Sequence, residues 1–594
     1  MTTLWPCFLM ALAGALSVGA DSLAPVPPVP TPSQRAWQEL ELTMFVHFGV
    51  NTFSDREWGD GKEDPRSFDP VNLDARQWVG AAKAGGFKLI ILTAKHHDGF
   101  CLWPSKYTEH SVKNAAWKNG KGDVVREFVD ACRAGGLKVG LYLSPWDRHE
   151  KTYGTEDYNR YFTNQLTELL TQYGTVDEVW FDGACGEGPN GKKQVYDWKA
   201  FYLTIRALAP KAVIAISGPD VRWVGNESGV ARVGESSIHR GSAGMHGTDG
   251  YVWWPAECDV SIRPGWFYHS SEDRQVKSLP HLLDIYFKSV GRNSVMLLNV
   301  PPDQNGLFAE PDVKRLREFG EAVRSLTAND LAKGGRVSAP GTKGGEEVLS
   351  KIVDGNAETF WTAPDGATNA TLEIAFKTPQ TFNCISLREP FWLGERSTAY
   401  RLEAQGGAGG WQLLARGSVI GSCNLVPVAG TTAQAVRLVI ESARGTPAIS
   451  EFAVYQSALV PQRPPASLAT QKVAKASNVH PQGTTYGADR AVDGDPETRW
   501  ATADGIRACW LEVDLGKAET IGRVVISELT PRVARFQIEI RDEIDAPWKV
   551  GYEGKGDGKR HEHKFAPVKA RYLRLNVTEA SAPPTIFEFE VYPK

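Results

Sequence analysis

The chain has 594 residues, 42% apolar and 23% charged. These are ordinary globular proportions, which exclude wholesale disorder and collagen-like repeats; at about 150 residues per domain the length allows roughly four units, or one large barrel with appendages. With 66 Lys and Arg against 70 Asp and Glu the formal charge is −4, so the basic excess of a nucleic-acid binder is missing.

The 19 Trp are the compositional oddity, and twelve of them lie between Trp37 and Trp266. They are core packing, or platforms for the apolar face of a ligand such as a sugar ring. At the start, a short apolar stretch runs from Leu4 to Val18, and Val18 and Ala20 fit the small-residue rule for cleavage before Asp21. Residues 1–20 therefore read as a signal peptide, and the protein as secreted or periplasmic. The stretch is short for a membrane span and no later segment is long enough, so no transmembrane helix is expected. Seven cysteines remain after cleavage (101, 132, 185, 258, 384, 423 and 509). Their odd number and wide spacing fit neither a disulfide framework nor a zinc pattern; most should be buried and free.

After an extended Pro-rich leader, Ala24–Pro32, residues 33–330 alternate β-rich runs with amphipathic stretches. Strands are predicted at Met44–Phe48, Lys88–Thr93, Lys138–Leu143, Asp177–Phe181, Ala212–Ile216 and Ser294–Asn299, and helices include Asp74–Ala84, Val124–Ala134 and Tyr158–Tyr173. Such alternation means parallel strands covered by helices, and about 300 residues favour an α/β fold of the (β/α)₈-barrel type over an open sheet. No GxGxxG opens a helix after the first strand, so a dinucleotide site has no support.

Beyond Leu331 short alternating strands with Gly, Pro and Asn turns take over, an all-β pattern. It contains a repeat. Val353-Asp-Gly-Asn-Ala-Glu-Thr-Phe-Trp361 matches Val492-Asp-Gly-Asp-Pro-Glu-Thr-Arg-Trp500, 139 residues later, and the copies close on Ile449–Tyr455 and Ile586–Tyr592. Two β-sandwiches follow, at 331–456 and 468–594, joined by a Pro-rich linker, 457–467. Their DGxxxTxW core and terminal Glu-Phe-x-Val-Tyr strand resemble the discoidin, or factor 5/8 type C, jelly-roll fold shared with family 32 carbohydrate-binding modules. The resemblance implies a structural calcium on Asp493, Asp495, Thr498 and Glu588, hard oxygen ligands that suit this ion. In the first copy Asn356 replaces the second Asp, so its site is weaker or absent.

In a parallel barrel, chemistry collects at the C-terminal ends of the strands. Those ends read FVHFG (45–49) with EWG (57–59) beyond, KHHDGF (95–100), YLSPWD (142–147), VWFDG (179–183), GPDVRWVGNE (218–227) and WPAECDVSIRPGWFYH (254–269). Three chemistries compete for them. A metal site from His47, His96, His97 and Asp98 suffers because neighbours on a strand point to opposite faces. Nucleophilic acyl transfer lacks a GxSxG elbow, and Cys185 has no partner pattern. Glycoside hydrolysis needs two carboxylates plus groups that grip hydroxyls and ring faces, and the set suits it. Asp182, at the tip of an apolar strand, is the natural nucleophile, although an Asp there also caps turns. Glu227 and Glu257, both in Trp-rich surroundings, are candidates for the acid.

The motifs HFG, EWG, TAKHHDGFCLW, YLSPWD, VWFDGA, RWVGNE and SIRPGWFYH together resemble glycoside hydrolase family 29, the α-L-fucosidases, over residues 35–330. Within it they are most similar to the subfamily that cuts α-1,3 and α-1,4 fucosyl linkages in Lewis-type glycans. The resemblance implies a retaining, exo-acting hydrolase of fucosylated oligosaccharides or glycoconjugates that needs no cofactor for catalysis. Asp182 is then the nucleophile and Glu227 the acid/base, with Glu257 in reserve. The implied fucose contacts are His47, Glu57, Trp58, His96, His97, Tyr142, Asp147, Trp180 and Arg263, with Trp266 as a wall. Broad-specificity fucosidases, and a non-catalytic adhesin on the same scaffold, are the alternatives. Asn226, Asn369 and Asn576 lie in N-x-S/T sequons; a glycan on Asn226 would obstruct the site, which points to a bacterial periplasm or surface.

Overall fold

The computed structural model describes residues 23–342, 345–407, 409–461, 467–482, 485–494 and 498–593. The expected signal peptide, Asp495 and positions 462–466 of the linker lie outside the described residues. The first unit is a curled sheet of eight strands: β1 (Leu42–Val46), β2 (Leu89–Lys95), β3 (Lys138–Leu143), β4 (Glu178–Phe181), β5 (Val213–Ile216), β6 (Arg222–Trp223), β7 (Ala256–Ser261) and β8 (Val295–Asn299). The order is β5-β4-β3-β2-β1-β8-β7-β6, and every neighbouring pair is parallel. Residues 217–221 connect β5 to β6 directly, and the Val221 amide donates to the Ile214 carbonyl (3.3 Å), bringing the two ends of the sheet together. The result is the expected (β/α)₈-type near-barrel.

Local sequence explains the regularity. Helix Ala75–Gly85 starts at Asp74, whose carboxylate accepts the Arg76 amide, and stops at Gly86 (φ +87°). Helix Val124–Gly135 starts likewise at Asp123 and stops at Gly136 (φ +73°). In both, an acidic N-cap answers the free amides of the first turn, and a glycine takes the left-handed C-terminal position, so the chain enters β2 and β3 within three residues. Two large apolar clusters result. One fills the space between strands and helices. The other fills the barrel interior with Trp37, Phe45, Leu89, Ile91, Tyr142, Trp180, Val213 and Leu297. The predicted β1–β5 and β8 lie within two residues of their positions. The sequence reading missed β6, two residues long, and β7, whose Ala-Glu-Cys-Asp-Val-Ser is wholly buried but too polar to read as an inner strand.

Both C-terminal units are antiparallel sandwiches. In the first, Ala370–Arg388 pairs with Asn424–Ala443, and the register slips between Ala375 and Gln380 and again between Phe382 and Cys384. In the second, Cys509–Glu528 pairs with Arg560–Ala580, with slips between Asp514 and Glu519 and between Ile521 and Arg523. The slips of the two copies stand 139 residues apart, so the repeat extends to the bulges that bend the long strands around the core. Trp361 and Trp500 occupy equivalent buried places, paired with Ile449 and Ile586. All seven described cysteines are free, and Cys185 is exposed.

Candidate active site

A cavity of about 570 Å³ opens where the barrel strands end. Its walls include His47, Glu57, Trp58, His96, His97, Trp180, Asp182, Glu227 and Trp266. Nine of the thirteen sequence-derived candidates thus share one space.

Asp182 follows the last residue of β4. One oxygen accepts the Ala184 amide (2.7 Å) and the other the Tyr142 hydroxyl (3.2 Å), so the carboxylate both closes a turn and faces the cavity. His97 Nε2 stands 3.9 Å from Asp182 Oδ2. Its Nδ1 meets Ser144 Oγ at 2.8 Å, and that hydroxyl donates to the Trp146 carbonyl (2.6 Å); Nδ1 therefore carries the hydrogen. His47 Nδ1 donates in the same way to Asn299 Oδ1 (2.8 Å), because the Asn299 amide nitrogen is already donating to Ser261 Oγ and the Trp266 carbonyl. Burial pushes both rings down to about 4. They are neutral near pH 7, and each keeps Nε2 as a hydrogen-bond acceptor, which suits sugar hydroxyls.

His96 and His97 would point to opposite faces if both were still on the strand. Instead their rings lie 4.1 Å apart and line the same cavity. Strand alternation ends with β2 at Lys95, and a turn closed by Gly99 (φ +81°) follows. No group of three His, Cys, Asp or Glu among the described residues comes together as a metal site.

Glu227 sits on the loop after β6. Gly225 adopts φ +102°, a conformation open to glycine, and the Asn226 side chain ties the loop by accepting from Ser228 and donating to the Val230 carbonyl. The Trp266 indole reaches Glu227 Oε2 at 3.4 Å. Glu57, expected as a sugar contact, holds the Trp266 segment: its carboxylate accepts the Trp266 amide (2.8 Å), the Phe267 amide (3.1 Å) and His269 Nε2 (2.7 Å). Trp58 is 57% exposed at the mouth, edge-on to Trp146 and His97.

Four candidates lie outside the cavity lining. Tyr142 is buried beneath it and reaches in through its bond to Asp182. Asp147 is taken by Lys95 Nζ (2.9 Å) and the His149 and Glu150 amides. Arg263 is taken by Asp312 (2.9 Å) and Asp273 (3.0 Å). Glu257 lies on β7 inside the barrel, under the Trp180 indole (2.7 Å). For Asp147 and Arg263 the sequence reading located the right strand end but could not tell which side of the chain faced the cavity. It missed Asp259, a cavity-lining carboxyl on the unforeseen β7 that accepts the Trp223 indole at 2.7 Å and that burial pushes well above the carboxylate range.

In the second sandwich, Thr498 donates to Asp493 (2.6 Å), and Glu588 accepts the Gly494 amide (2.9 Å). Burial and the adjacent Asp493 carboxyl push Glu588 up to about 9. Two facing carboxyls that repel each other are a donor set a hard cation would fit. The fourth expected ligand, Asp495, lies outside the described residues.

A parallel barrel that gathers two carboxylates, imidazole acceptors and indole walls at its strand ends has the architecture of a glycoside hydrolase. The comparisons give the family. The family model described as alpha-L-fucosidase matches residues 29–325, and that of the F5/8 type C domain matches 336–453 and 473–589. "Alpha-L-fucosidase 1" of Arabidopsis thaliana is 43% identical over 73% of this chain and 88% of its own length. A crystal structure described as "putative alpha-L-fucosidase from Bacteroides thetaiotaomicron" is 40% identical, with a TM-score of 0.70 over 74% of this chain and all of its own. A Ruminococcus gnavus family 29 fucosidase, solved as an aspartate-to-alanine variant in complex with fucose, is 33% identical, with a TM-score of 0.68 over 75% of this chain and 98% of its own. The chain belongs to the α-L-fucosidase family.

Proposed function

We propose that the protein is a retaining, exo-acting α-L-fucosidase that removes terminal α-1,3- or α-1,4-linked fucose from Lewis-type or related glycans by double displacement. The observation that carries this reading is the cavity that Asp182 and Glu227 line together with the neutral His47 and His97, which offer acceptors to sugar hydroxyls. Asp182 attacks the anomeric carbon while Glu227 protonates the departing oxygen. Glu227 then deprotonates the water that releases fucose, and configuration is retained. The Tyr142 hydroxyl steadies the nucleophile's second oxygen, and Phe45, Trp180 and Trp266 offer apolar surface to the sugar's methyl group. No step calls on a cofactor.

Asp182→Ala should abolish turnover with folding intact, and residual activity above a few per cent would sink the assignment. Glu227→Ala should retain activity on a fucoside with an activated leaving group and regain rate with azide. A linkage panel (α-1,2, α-1,3, α-1,4, α-1,6 and aryl fucosides) tests the finer reading; comparable rates on all would replace it with a broad-specificity enzyme. Binding of a Lewis trisaccharide without release of fucose would mean an adhesin.

Two further parts of the reading concern the rest of the chain. Residues 1–20 direct the protein to the periplasm or exterior of a bacterial cell, where the Asn226 sequon stays unmodified; amino-terminal sequencing of the exported protein should begin at Asp21. The second sandwich holds a structural calcium through Asp493, Asp495, Thr498 and Glu588. Chelation should lower its melting transition, and Asp493→Asn should remove that sensitivity.

A further inference from the structure

We propose that Glu178 and Glu257 form a proton-sharing carboxyl pair that positions the active-site wall: the hydrogen held between them fixes Trp180, and through it Tyr142 and Asp182, while neither glutamate touches substrate.

The two side chains lie inside the barrel, on β4 and β7, and both are fully buried. Each has one oxygen occupied by an indole: Trp37 Nε1 donates to Glu178 Oε2 (3.0 Å), and Trp180 Nε1 donates to Glu257 Oε2 (2.7 Å). The other oxygen of each, Oε1, has no partner among the ordinary donors of the described residues. The carboxyls instead engage each other, side chain to side chain. On the neighbouring strands Val213 pairs with Glu178 and Val295 with Glu257, both valines belong to the apolar cluster of the barrel interior, and the further charge acting on Glu178 is Asp177, also negative. Two bare carboxylates facing each other in hydrocarbon would each cost several kcal/mol, and two acceptors make no bond without a hydrogen between them. A shared proton resolves both difficulties. Burial pushes both groups up, and the facing Glu178 carboxyl raises Glu257 further, while the hydrogen bond to Glu257 acts on Glu178 in the opposite direction.

This arrangement explains why a polar layer interrupts the barrel core. The Trp180 indole N–H points down, away from water, and needs an acceptor. Glu257 supplies it, and Glu178 supplies the partner that lets Glu257 stay buried. Above the pair, Trp180 stacks on Tyr142 (5.2 Å, 25°) and meets Phe45 edge-on (4.8 Å), and the Tyr142 hydroxyl donates to Asp182. The line from the pair to the nucleophile is continuous. It also removes Glu257 from the acid/base role held in reserve for it, because the Trp180 ring stands above it.

The test compares Glu257→Gln with Glu257→Leu in the full-length enzyme, on whichever fucoside the wild type turns over fastest. A carboxamide keeps an oxygen for Trp180 and offers an N–H to Glu178, so Glu257→Gln should hold kcat within about threefold. Leucine strands the indole and the Glu178 carboxylate together; the displaced wall should lower kcat about 10- to 100-fold with KM little changed. The infrared difference between wild type and Glu257→Gln near pH 7 should show the loss of one protonated-carboxyl carbonyl band. If Glu257→Gln is as inactive as Glu257→Leu and azide rescues it, Glu257 is the acid/base and the proposal falls. It falls also if Glu257→Leu keeps wild-type kcat, or if no carboxyl band is lost. Should Glu257→Leu not fold, the infrared difference on Glu257→Gln decides.

Discussion

Glu57→Gln is the substitution that best separates holding the site from touching the sugar. The Glu57 carboxylate accepts three donors, and two are backbone amides of the segment that carries Trp266. A carboxamide of the same shape can accept at its oxygen, but its nitrogen is a donor and must face another donor. Hydrogen bonds to a charged group contribute about 1.5–3 kcal/mol each. The Glu57 side chain is 39% exposed, so the lower figure applies, and weakening two such bonds costs the closed segment about 3 kcal/mol. If the chemistry needs Trp266 against the cavity and beside Glu227, that is roughly a hundredfold in kcat/KM. Global stability should change little, because the segment opens locally at the surface. Steady-state kinetics with a thermal melt and the fluorescence of a ligand-protected Trp266 would measure this. A Glu57→Gln enzyme with kcat/KM within threefold of wild type would refute the reasoning. A loss confined to KM for the fucoside and to inhibition by free fucose, with the Trp266 signal unmoved, would make Glu57 a direct sugar contact instead.

Two other outcomes follow from the same geometry. His47, His97 and His110 are each pushed down to about 4 by burial. A folded value below the unfolded 6.5 means that the unfolded chain binds the proton first, so the stability these rings contribute is complete above pH 6.5 and is lost as pH falls from there through about 4. The melting temperature should drop steeply over that window, and a flat profile between pH 7 and 4.5 would contradict the burial argument. Gly225→Ala places a β-carbon at φ +102°, a strain of about 1–3 kcal/mol. Since Gly225 precedes Glu227 by two residues, activity should fall more than tenfold with little change in melting temperature; an unaffected rate would mean that the loop does not set the position of Glu227.

The strands β1–β5 and β8 were legible because β-branched and leucine-rich runs alternate with helices bounded by Asp caps and glycine stops. The internal repeat was legible because its DGxxxTxW core fixes a buried tryptophan in each copy, Trp361 and Trp500. β7 was not, since a buried strand carrying Glu257 and Asp259 breaks the hydrophobic rule on which strand prediction rests. At the site, sequence placed His47, His97, Asp182 and Glu227 at strand ends but gave no side-chain direction. Asp147 and Arg263 are polar residues with a similar placement at strand ends, and they turn to Lys95 and Asp312 instead. Spacing along a strand tells which face a residue takes; in the loops beyond, direction depends on partners distant in sequence, as Glu57 does on Trp266, 209 positions away.

The first sandwich is part of the barrel's support, which makes the two C-terminal units unequal despite their repeated sequence. Cys384, Cys423, Leu425, Ala453, Tyr455 and Val460 belong to the same buried cluster as the barrel's helix-facing side chains. Glu395 accepts Ser236 Oγ, the Ser237 amide and the Asn293 amide group (2.6–2.7 Å), and Arg388 pairs with Glu41 at the entry to β1 (2.7 Å). Fully burying a large apolar side chain contributes about 1.5–3 kcal/mol, so stripping several of these from the barrel would remove most of the 5–15 kcal/mol that a domain typically has. A chain cut after Asp330 should therefore aggregate or melt well below the full-length protein. One cut after Val460 should keep kcat and the barrel's melting transition, losing only what the second sandwich adds. The first 460 residues keep the apolar contacts and the Glu395 and Arg388 bonds intact, and about this share of the chain spans the whole of the Bacteroides thetaiotaomicron structure. Solubility, melting curves and fucose release from the two shortened chains measure the difference; a soluble, active barrel ending at Asp330 would show that the sandwich is only tethered, and that the shared core contributes far less than its buried side chains imply.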